Sequence, residues 1–434
     1  MMMAVGLSFA LPTNVHANPA LGSAAIQDSL STSKLPQGVA PKEKVFVFTG
    51  FIKYDLFADT RQVVNAREGL VSIYPESRDY DADGRDINRG LNVNMLSIHS
   101  RLGVSANGPI VFNAQTSGLV EADFYGNANS HFSDLNGLRL FNAYIDFRWQ
   151  ATELRVGQDW HPMSVREFFP NTVSFSAGAP FHPMSRNPQV RIRHTAGGFS
   201  ITGAVLSQRD FTSTGPDGPG SHYLRHAGLP NIHLQLQYGR DTAILSGGAG
   251  IDHKRLIPAR FTVNAAGERF KSNRSVSSVS LIGFMKVKTD RLALTAQGVY
   301  AQNGYDLLML GGYAEKLTTD NFTGEKRYAN LHVVSLWADA ATEMGGFQFG
   351  AFLGYTKNLG AGEAIGATYS RGENIGWIYR ASPRISYTVG AVGVALEGEY
   401  TVAGYGTPNG QGKADRSGSP VANFRSLVSV KYVF

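Results

Sequence analysis

The last ten residues, Arg425-Ser-Leu-Val-Ser-Val-Lys-Tyr-Val-Phe434, carry the pattern that decides the fold. Alternate positions form an apolar face of Val428, Val430, Tyr432 and Phe434. The opposite face carries Arg425, Ser429 and Lys431. An apolar face that ends on an aromatic residue, opposite a charged face, is typical of a strand between lipid and water. Because a soluble sheet shows the same alternation with one face in its core, the decision depends on how often the pattern recurs and on what separates its copies.

Composition narrows the class of protein. The chain has 434 residues, of which 43% are hydrophobic and only 17% charged, and it contains 49 glycines. After the N-terminus no apolar stretch reaches the length of about 18 residues that a transmembrane helix needs. The absence of cysteine excludes disulfides, thiolate metal sites and cysteine nucleophiles. A net charge of +6 without a basic run is too weak and dispersed to predict nucleic-acid binding.

The N-terminus has the pattern of a secretory signal peptide. Met1 to Leu11 is apolar, and Val15-His16-Ala17 fits the small-x-small rule for cleavage, although no Lys or Arg precedes the apolar run. The alternative is a buried N-terminal strand. We expect a signal peptide over 1–17, a polar periplasmic lead-in over 18–44, and the folded part over 45–434.

Alternating segments recur along the rest of the chain. Most are eight to thirteen residues long, enough for a tilted strand to cross the hydrocarbon layer. We predict sixteen of them, near 45–57, 91–105, 109–125, 138–149, 153–160, 188–195, 199–209, 231–239, 242–253, 276–288, 290–302, 331–341, 346–357, 377–388, 391–403 and 424–434.

The connections between these segments alternate in length. Every second one is a tight turn, at Asn107-Gly108, Ala151-Thr152, Gly197-Gly198, Arg240-Asp241, Thr289, Gly345-Gly346 and Gly390. The others are long and rich in Gly, Asn, Asp and Pro. The sequence therefore predicts an all-β fold, a transmembrane antiparallel β-barrel of about 16 strands with short periplasmic turns and long extracellular loops. Aromatic residues near both ends of the segments indicate two interfacial girdles.

A barrel of this size encloses water, so its inward positions should line a pore. We predict a basic wall of inward residues: Lys53, Arg101, Arg148, Arg155, Arg191 and Arg193. Such charges either concentrate anions in the lumen or pair with acids on neighbouring strands and only make the wall polar. For a single residue we favour pairing. For Arg155, Arg191 and Arg193 we favour the anion-attracting wall, because Asp159 is their only obvious partner.

The third long loop, roughly 161–187, contains four prolines and is too apolar for a loop surrounded by solvent. It either packs into the lumen and narrows the pore or covers a subunit contact, and we favour the lumen. The predicted constriction residues are Arg166, Glu167, Phe168, Phe169, His182 and Arg186.

Five motifs carry a resemblance to a known family. They are Gly50-Phe-Ile-Lys-Tyr-Asp55, Glu121-Ala-Asp-Phe-Tyr-Gly126, Leu138-Arg-Leu-Phe-Asn-Ala-Tyr144, Leu154-Arg-Val-Gly-Gln-Asp-Trp160 and Arg186-Asn-Pro-Gln-Val-Arg191. In this order, over roughly residues 45–195, the chain resembles the DcaP-like trimeric porins of Gram-negative outer membranes. The resemblance implies a homotrimer of sixteen-stranded barrels that passes small anions, dicarboxylates among them, with Arg155, Arg191 and Arg193 on the basic wall. Lys53 and the charged first loop, from Asp59 to Arg89, depart from the family pattern and leave the solute open.

We therefore expect a passive diffusion channel in the outer membrane of a Gram-negative bacterium, in contact with membrane lipid, with no cofactor, no metal and no nucleic-acid partner. Two rival functions are an adhesion or ligand-binding barrel, whose loops 303–330 and 404–423 could hold a partner, and an outer-membrane hydrolase. The hydrolase lacks support, because no Gly-x-Ser-x-Gly motif surrounds a nucleophile. Conductance would separate a channel from both.

Overall fold

The computed structural model describes residues 46–126, 137–239, 244–414 and 418–434. The predicted signal peptide over 1–17 and lead-in over 18–44 lie outside these residues, as does the predicted turn at Arg240-Asp241.

The described chain is built almost entirely of strands. They are β1 (Phe46–Arg61), β2 (Val63–Ala66), β3 (Val71–Pro75), β4 (Arg89–Leu96), β5 (Arg101–Val111), β6 (Ala114–Asp123), β7 (Arg139–Arg148), β8 (Thr152–Trp160), β9 (Arg186–Ala196), β10 (Phe199–Leu206), β11 (Asn231–Tyr238), β12 (Leu245–Leu256), β13 (Phe261–Val263), β14 (Arg269–Lys271), β15 (Val276–Lys288), β16 (Leu292–Gln302), β17 (Gly311–Asp320), β18 (Glu325–Met344), β19 (Phe347–Gly360), β20 (Ile365–Arg371), β21 (Ile375–Val389), β22 (Val392–Tyr405) and β23 (Val421–Val433). A short helix, α1 (His222–His226), and two 3₁₀ turns, Arg166–Phe168 and Tyr305–Leu307, complete the described elements. No helix in these parts of the chain is long and apolar enough to cross a membrane.

Sixteen antiparallel strands close into a barrel. The first and last strands seal it, since β1 pairs with β23 from Phe51↔Val433 to Asp59↔Arg425. On its other side β1 pairs with β4 and then with β5, so these two form one barrel strand interrupted by the turn at 97–100. Closure leaves no open sheet edge, which is what a sheet in hydrocarbon requires. The predicted fold class is confirmed, and each of the sixteen predicted segments overlaps a barrel strand.

Side chains alternate across the wall as the sequence predicts. In β11, Ile232, Leu234 and Leu236 are exposed on the outside, whereas His233 and Gln235 are buried on the inside. This alternation sets polar groups towards the lumen and apolar groups towards lipid.

Most short turns lie where the sequence places them. Gly197-Gly198 and Gly345-Gly346 have positive φ at both positions, which the two-residue hairpin turn requires. The prediction at Asn107-Gly108 is wrong, because β5 continues to Val111 and the chain turns at Phe112-Asn113. Gly108 and Pro109 instead form a bulge opposite Thr116, which accommodates a proline that cannot donate a ladder hydrogen bond.

Two bands of aromatic side chains lie on the outer wall, one near each end of the strands. The periplasmic girdle includes the exposed side chains of Phe46, Phe48, Trp149, Phe199, Tyr238, Phe347, Phe349, Tyr387, Tyr432 and Phe434. The extracellular girdle includes Tyr300, Tyr355, Tyr379, Tyr400 and Phe424. Phe124, which directly follows β6 at its extracellular end, does not belong to this girdle and packs against the buried cluster inside the barrel.

Candidate functional site: the barrel lumen

The third long loop, residues 161–185, folds into the barrel and packs against the wall opposite its own strands. Phe181 is fully buried and lies 6.0 Å from the Phe352 ring of β19. Gly354 permits this approach, because a Cβ there would lie 2.5 Å from the Phe181 ring. The hydroxyl of Ser335 also donates to the Phe181 carbonyl at 3.0 Å.

The wall holds this loop by its backbone as well. The Lys53 ammonium donates to the carbonyl of Val173 at 3.1 Å, and the backbone amide of Val173 donates to the Glu397 carboxylate. Farther along, Arg380 donates to the carbonyl of Ala179 at 2.9 Å. Lys53, predicted on the basic wall, is therefore buried, paired with Asp55 at 3.1 Å and engaged with the loop.

The first long loop also enters the lumen, which the sequence analysis does not predict. Its hairpin, β2–β3, buries Val71 and Ile73 in the same cluster as the third loop. Arg380 donates to the Ser72 carbonyl at 2.9 Å, so a single guanidinium joins the first loop, the third loop and β21. The two loops also touch directly, through the Ser72 amide and the Ser176 hydroxyl at 3.1 Å.

Three predicted residues converge on Asp159 at the end of β8. Arg155 and Arg191 donate to one carboxylate oxygen at 2.6 and 2.9 Å. The third loop brings Arg166 to within 3.8 Å of the other oxygen. Arg155 also pairs with Asp146 at 2.6 Å, a cross-strand partner in addition to Asp159. Glu153 lies 3.6 Å from Arg155 as well, so three acids face these three guanidinium groups. A surplus of positive charge arises together with the adjacent Arg148, Arg193 and Lys286, since this part of the wall then has six cations against the four acids Asp146, Glu153, Asp159 and Glu167.

A second polar group lies on the periplasmic side of the first. Arg193 pairs with Glu167 at 3.1 Å, and Lys286 donates to the backbone carbonyl of Glu167 at 2.7 Å. Arg148 contacts Asp146 and Glu153 at 3.0 and 3.2 Å. The side chains of Arg148 and Arg193 are 40% and 33% exposed, against 17% for Arg191, so the wall is most accessible at its periplasmic end.

Arg101 and Arg186 lie apart from this group and stack on Phe141. Their guanidinium carbons are 3.3 and 3.7 Å from the Phe141 ring centroid. The alternation of β7 places Phe141 on the outer face together with Ile145, and this prediction is wrong. A bulge between the pairs Glu121↔Asn142 and Ala122↔Leu140 turns the ring inward.

Asp210 organises a third cluster at the extracellular mouth. Arg67 of the first loop, Arg186 of β9 and Arg139 of β7 contact its carboxylate at 2.7, 2.8 and 3.3 Å. Burial alone would raise the pKa of Asp210, but the three guanidinium groups lower that pKa to about 2. The carboxylate stays ionised and ties the first loop to the fourth.

The remaining predicted constriction residues form the apolar body of the third loop. Phe168 lies 4.6 Å from the Phe284 ring, and Phe169 contacts Trp160 and His182. His182 is buried, with a ring nitrogen 3.2 Å from Gln297. Within the described ranges no group of three or more His, Asp or Glu residues is arranged to hold a metal ion.

Comparison with solved structures finds the same barrel fold in outer-membrane channels. The outer-membrane channel DcaP of Acinetobacter baumannii superposes with a TM-score of 0.65 and 17% identity, over 92% of this chain and 99% of that one. An anion-selective porin from Comamonas acidovorans gives a TM-score of 0.53 at 9% identity, over 90% and 100%. OmpT of Vibrio cholerae gives 0.54 at 11% identity, over 92% and 100%. No protein-family model and no curated protein sequence matches the chain. The resemblance read from the motifs is therefore borne out at the level of architecture: this chain has the barrel fold of the outer-membrane channel DcaP.

Proposed function

We propose that the chain is an outer-membrane porin, a passive diffusion channel for small hydrophilic solutes with a preference for anions such as dicarboxylates. The fold it shares with the DcaP channel and with an anion-selective porin supports the channel function. The polar inner wall supports it independently, because a lumen that only had to be filled would not need partly exposed cations.

The single observation that carries the anion preference is the excess of cations on this wall, where Arg155, Arg166 and Arg191 converge on Asp159 and the adjacent Arg148, Arg193 and Lys286 add three more. A surplus of fixed positive charge raises the local concentration of anions. Guanidinium groups also pair with carboxylates through two parallel hydrogen bonds. A dicarboxylate could engage this group with one end and the group around Arg193 and Lys286 with the other.

The third loop, 161–185, would form the constriction. Its apolar body is fixed by the wall, and its charged edge, Arg166 and Glu167, lies beside Arg191 and Arg193. A solute that passes the loop would therefore meet guanidinium groups rather than the buried aromatic rings.

The test is single-channel conductance of the purified protein in a planar bilayer, with the reversal potential measured under a salt gradient. An open channel with an anion-selective reversal potential, blocked by succinate but not by a neutral solute of similar size, would support the proposal. A correctly folded protein that does not conduct would refute the channel function. A conducting channel without anion preference would refute only the role of the arginines.

We further propose that the chain assembles as a homotrimer through the outer wall of β5 to β10. Two contiguous apolar grooves of about 470 and 540 Å³ run along this sector and share Val156. Small outward residues, Ala106, Gly118 and Ala143, make the wall concave here. A concave apolar surface can pack closely against a complementary surface of another protein.

The distribution of aromatic side chains on the outer wall also supports a subunit contact on β5 to β10. In the described residues of β5 to β12, no exposed aromatic side chain lies at the extracellular end, whereas β16 to β23 carry the extracellular girdle. Interfacial aromatics mark contact with lipid headgroups, so their absence is expected where a neighbouring subunit replaces lipid. A trimer form is also recorded for OmpT of Vibrio cholerae, which aligns with a TM-score of 0.51 at 12% identity, over 90% of this chain and 99% of that one.

Ala143→Trp would fill the groove and should shift the protein from trimer to monomer in native mass spectrometry. Ala351→Trp, on the outer face of β19, is the matched control and should leave the trimer intact. Equal behaviour of the two variants would reject this interface.

A further inference from the structure

The fifth loop concentrates positive charge at the extracellular surface. Residues 253–274 contain six cations, Lys254, Arg255, Arg260, Arg269, Lys271 and Arg274, and one acid, Glu268. Two of the six are neutralised, because Lys254 points inward to Asp306 and Arg274 pairs with Glu325 at 2.7 Å. None of the other four has a carboxylate partner within ion-pair distance in the part of the chain that the structure describes. Without the inward Lys254, the surface carries five cations, and the acids beside them are Glu268, Glu325 and, in the neighbouring loop, Asp320.

The hairpin β13–β14 within this loop has two different faces. Directly paired residues share a face, so Phe261 and Lys271 lie beside Val263 and Arg269, and all four side chains are exposed. The Arg269 guanidinium rests 3.8 Å from the Phe261 ring centroid. One surface therefore presents apolar and cationic groups side by side.

The opposite face of the hairpin is covered by the tip of the sixth loop. Thr262 donates to the Thr323 carbonyl at 2.7 Å, and the Phe270 and Phe322 rings are 5.7 Å apart. The side-chain amide nitrogen of Asn264 donates to the Phe322 carbonyl at 3.1 Å. These contacts fix the hairpin and leave its apolar and cationic face uncovered.

The position of Arg255 indicates what this face meets. In β12 the buried residues Asp252 and Lys254 point into the barrel, so Ile251, His253 and Arg255 point outward. Arg255 lies at the extracellular end of this outward row, opposite Ser277 of β15 and above the apolar belt that begins at Ile251. This is the level at which a barrel in a membrane meets phosphorylated headgroups.

We propose that the hairpin β13–β14, together with Arg255 and Arg260, binds the phosphate groups of a glycolipid in the outer leaflet. Exposed Phe261 and Val263 reach the boundary of the acyl chains while the cations contact phosphate, as in other amphipathic cationic segments at membrane surfaces. A solute entering the pore is the weaker alternative, because Arg255 points away from the lumen. A second copy of the chain is also weaker, because the proposed subunit contact lies on β5 to β10.

The experiment uses the folded full-length protein in detergent and measures binding of diphosphoryl lipid A by native mass spectrometry. In the test variant, Arg269→Gln and Lys271→Gln remove two cations from the exposed face. Each Lys or Arg near an anionic membrane surface contributes about fivefold in affinity, so the expected loss is about 30-fold. Lipid A that lacks both phosphates should bind the wild type weakly.

Lys288→Gln with Arg291→Gln is the matched control, since it removes two exposed cations beside a periplasmic turn. It should bind lipid A like the wild type. The charge-preserving variant Arg269→Lys with Lys271→Arg should also bind, which separates charge from any change in folding.

Unaltered lipid A binding by the Gln variant would overturn the proposal, as would equal binding of phosphorylated and dephosphorylated lipid A by the wild type. A variant that loses block by succinate but keeps lipid A binding would also overturn it and assign the cations to the solute path. Conductance is not the readout, so failure here leaves the channel proposal standing.

Discussion

Replacing Arg191 and Arg193 together with alanine tests whether wall charge sets ion selectivity. Arg191 contacts Asp159 at 2.9 Å, and the Asp159 carboxylate remains paired with Arg155 after the substitution. Arg193 contacts Glu167 at 3.1 Å, and Glu167 is left with the backbone contact from Lys286. The substitution therefore removes two positive charges from the wall and leaves its acids in place.

The magnitude follows from Coulomb's law. A monovalent ion about 6 Å from one charge in water gains about 0.7 kcal/mol, which screening at 0.1 M salt reduces to about 0.4 kcal/mol. Two charges contribute about 0.8 kcal/mol, or about fourfold in the local concentration of an anion. Cations change by a similar factor in the opposite sense, so the ratio of anion to cation permeability should fall about 15-fold.

The assay is the reversal potential of the double variant in a planar bilayer under a salt gradient. Arg193→Ala with Glu167→Gln is the control, because it removes the same ion pair without changing the net charge, and its reversal potential should stay near that of the wild type. An unchanged reversal potential in Arg191→Ala with Arg193→Ala would refute the reasoning. Equal shifts in both variants would show that loop position rather than charge sets the selectivity.

Three further predictions concern stability. Phe181→Ala should lower the free energy of unfolding by about 3–5 kcal/mol, because it empties a fully buried site against Phe352, and it should increase fluctuations in the open-channel current. The pKa of Asp210, lowered to about 2 from 3.8, stabilises the fold above pH 4, and about 2 kcal/mol should be lost as the pH falls from 4 to 2. Asp210→Asn should remove that part of the acid transition in a denaturation series followed by intrinsic fluorescence, and an unaltered acid transition would contradict the assignment. Val430→Arg, on the lipid face of β23, should destabilise insertion by about 2–4 kcal/mol near the midplane, measured by refolding into lipid vesicles. Lys431→Arg, on the inner face, should fold like the wild type, and equal folding of the two would contradict the assigned faces.

The sequence was sufficient for the strands and for the direction of most side chains. Alternation with period two is a local property, and it survives wherever one face meets lipid and the other meets water. In β9, Val190 and Ile192 face outward while Arg191 and Arg193 face inward, as predicted. Predictions failed at bulges, where one extra residue reverses the pattern, as at Phe141 and at Gly108-Pro109.

The candidate site was predictable as a set of inward charges but not as a network. Arg155 finds Asp146 across one strand pair, whereas Arg193 finds Glu167 on a loop whose path the alternation does not determine. The first-loop hairpin had a readable signal, since Val63-Val64 and Val71-Ser72-Ile73-Tyr74 flank a glycine turn with the β-branched residues of strands. Its burial inside the barrel depends on contacts with Arg380, more than 300 residues away, which no local pattern encodes.

The contacts of Arg380 have a consequence for how the molecule assembles. It holds Ser72 and Ala179, residues 308 and 201 positions earlier in the chain, so the two loops gain these partners only when β21 arrives. In the same way, Val173 of the third loop donates to Glu397 of β22, and Gly69 of the first loop accepts from Arg425 of β23. These contacts also require strands that come late in the chain. Contacts of such long sequence separation form late, because the entropy of closing the intervening chain must be offset first. The two loops are thus fixed in the lumen late in folding, and a chain that lacks β21 to β23 would leave both loops without these contacts even though every earlier strand is present.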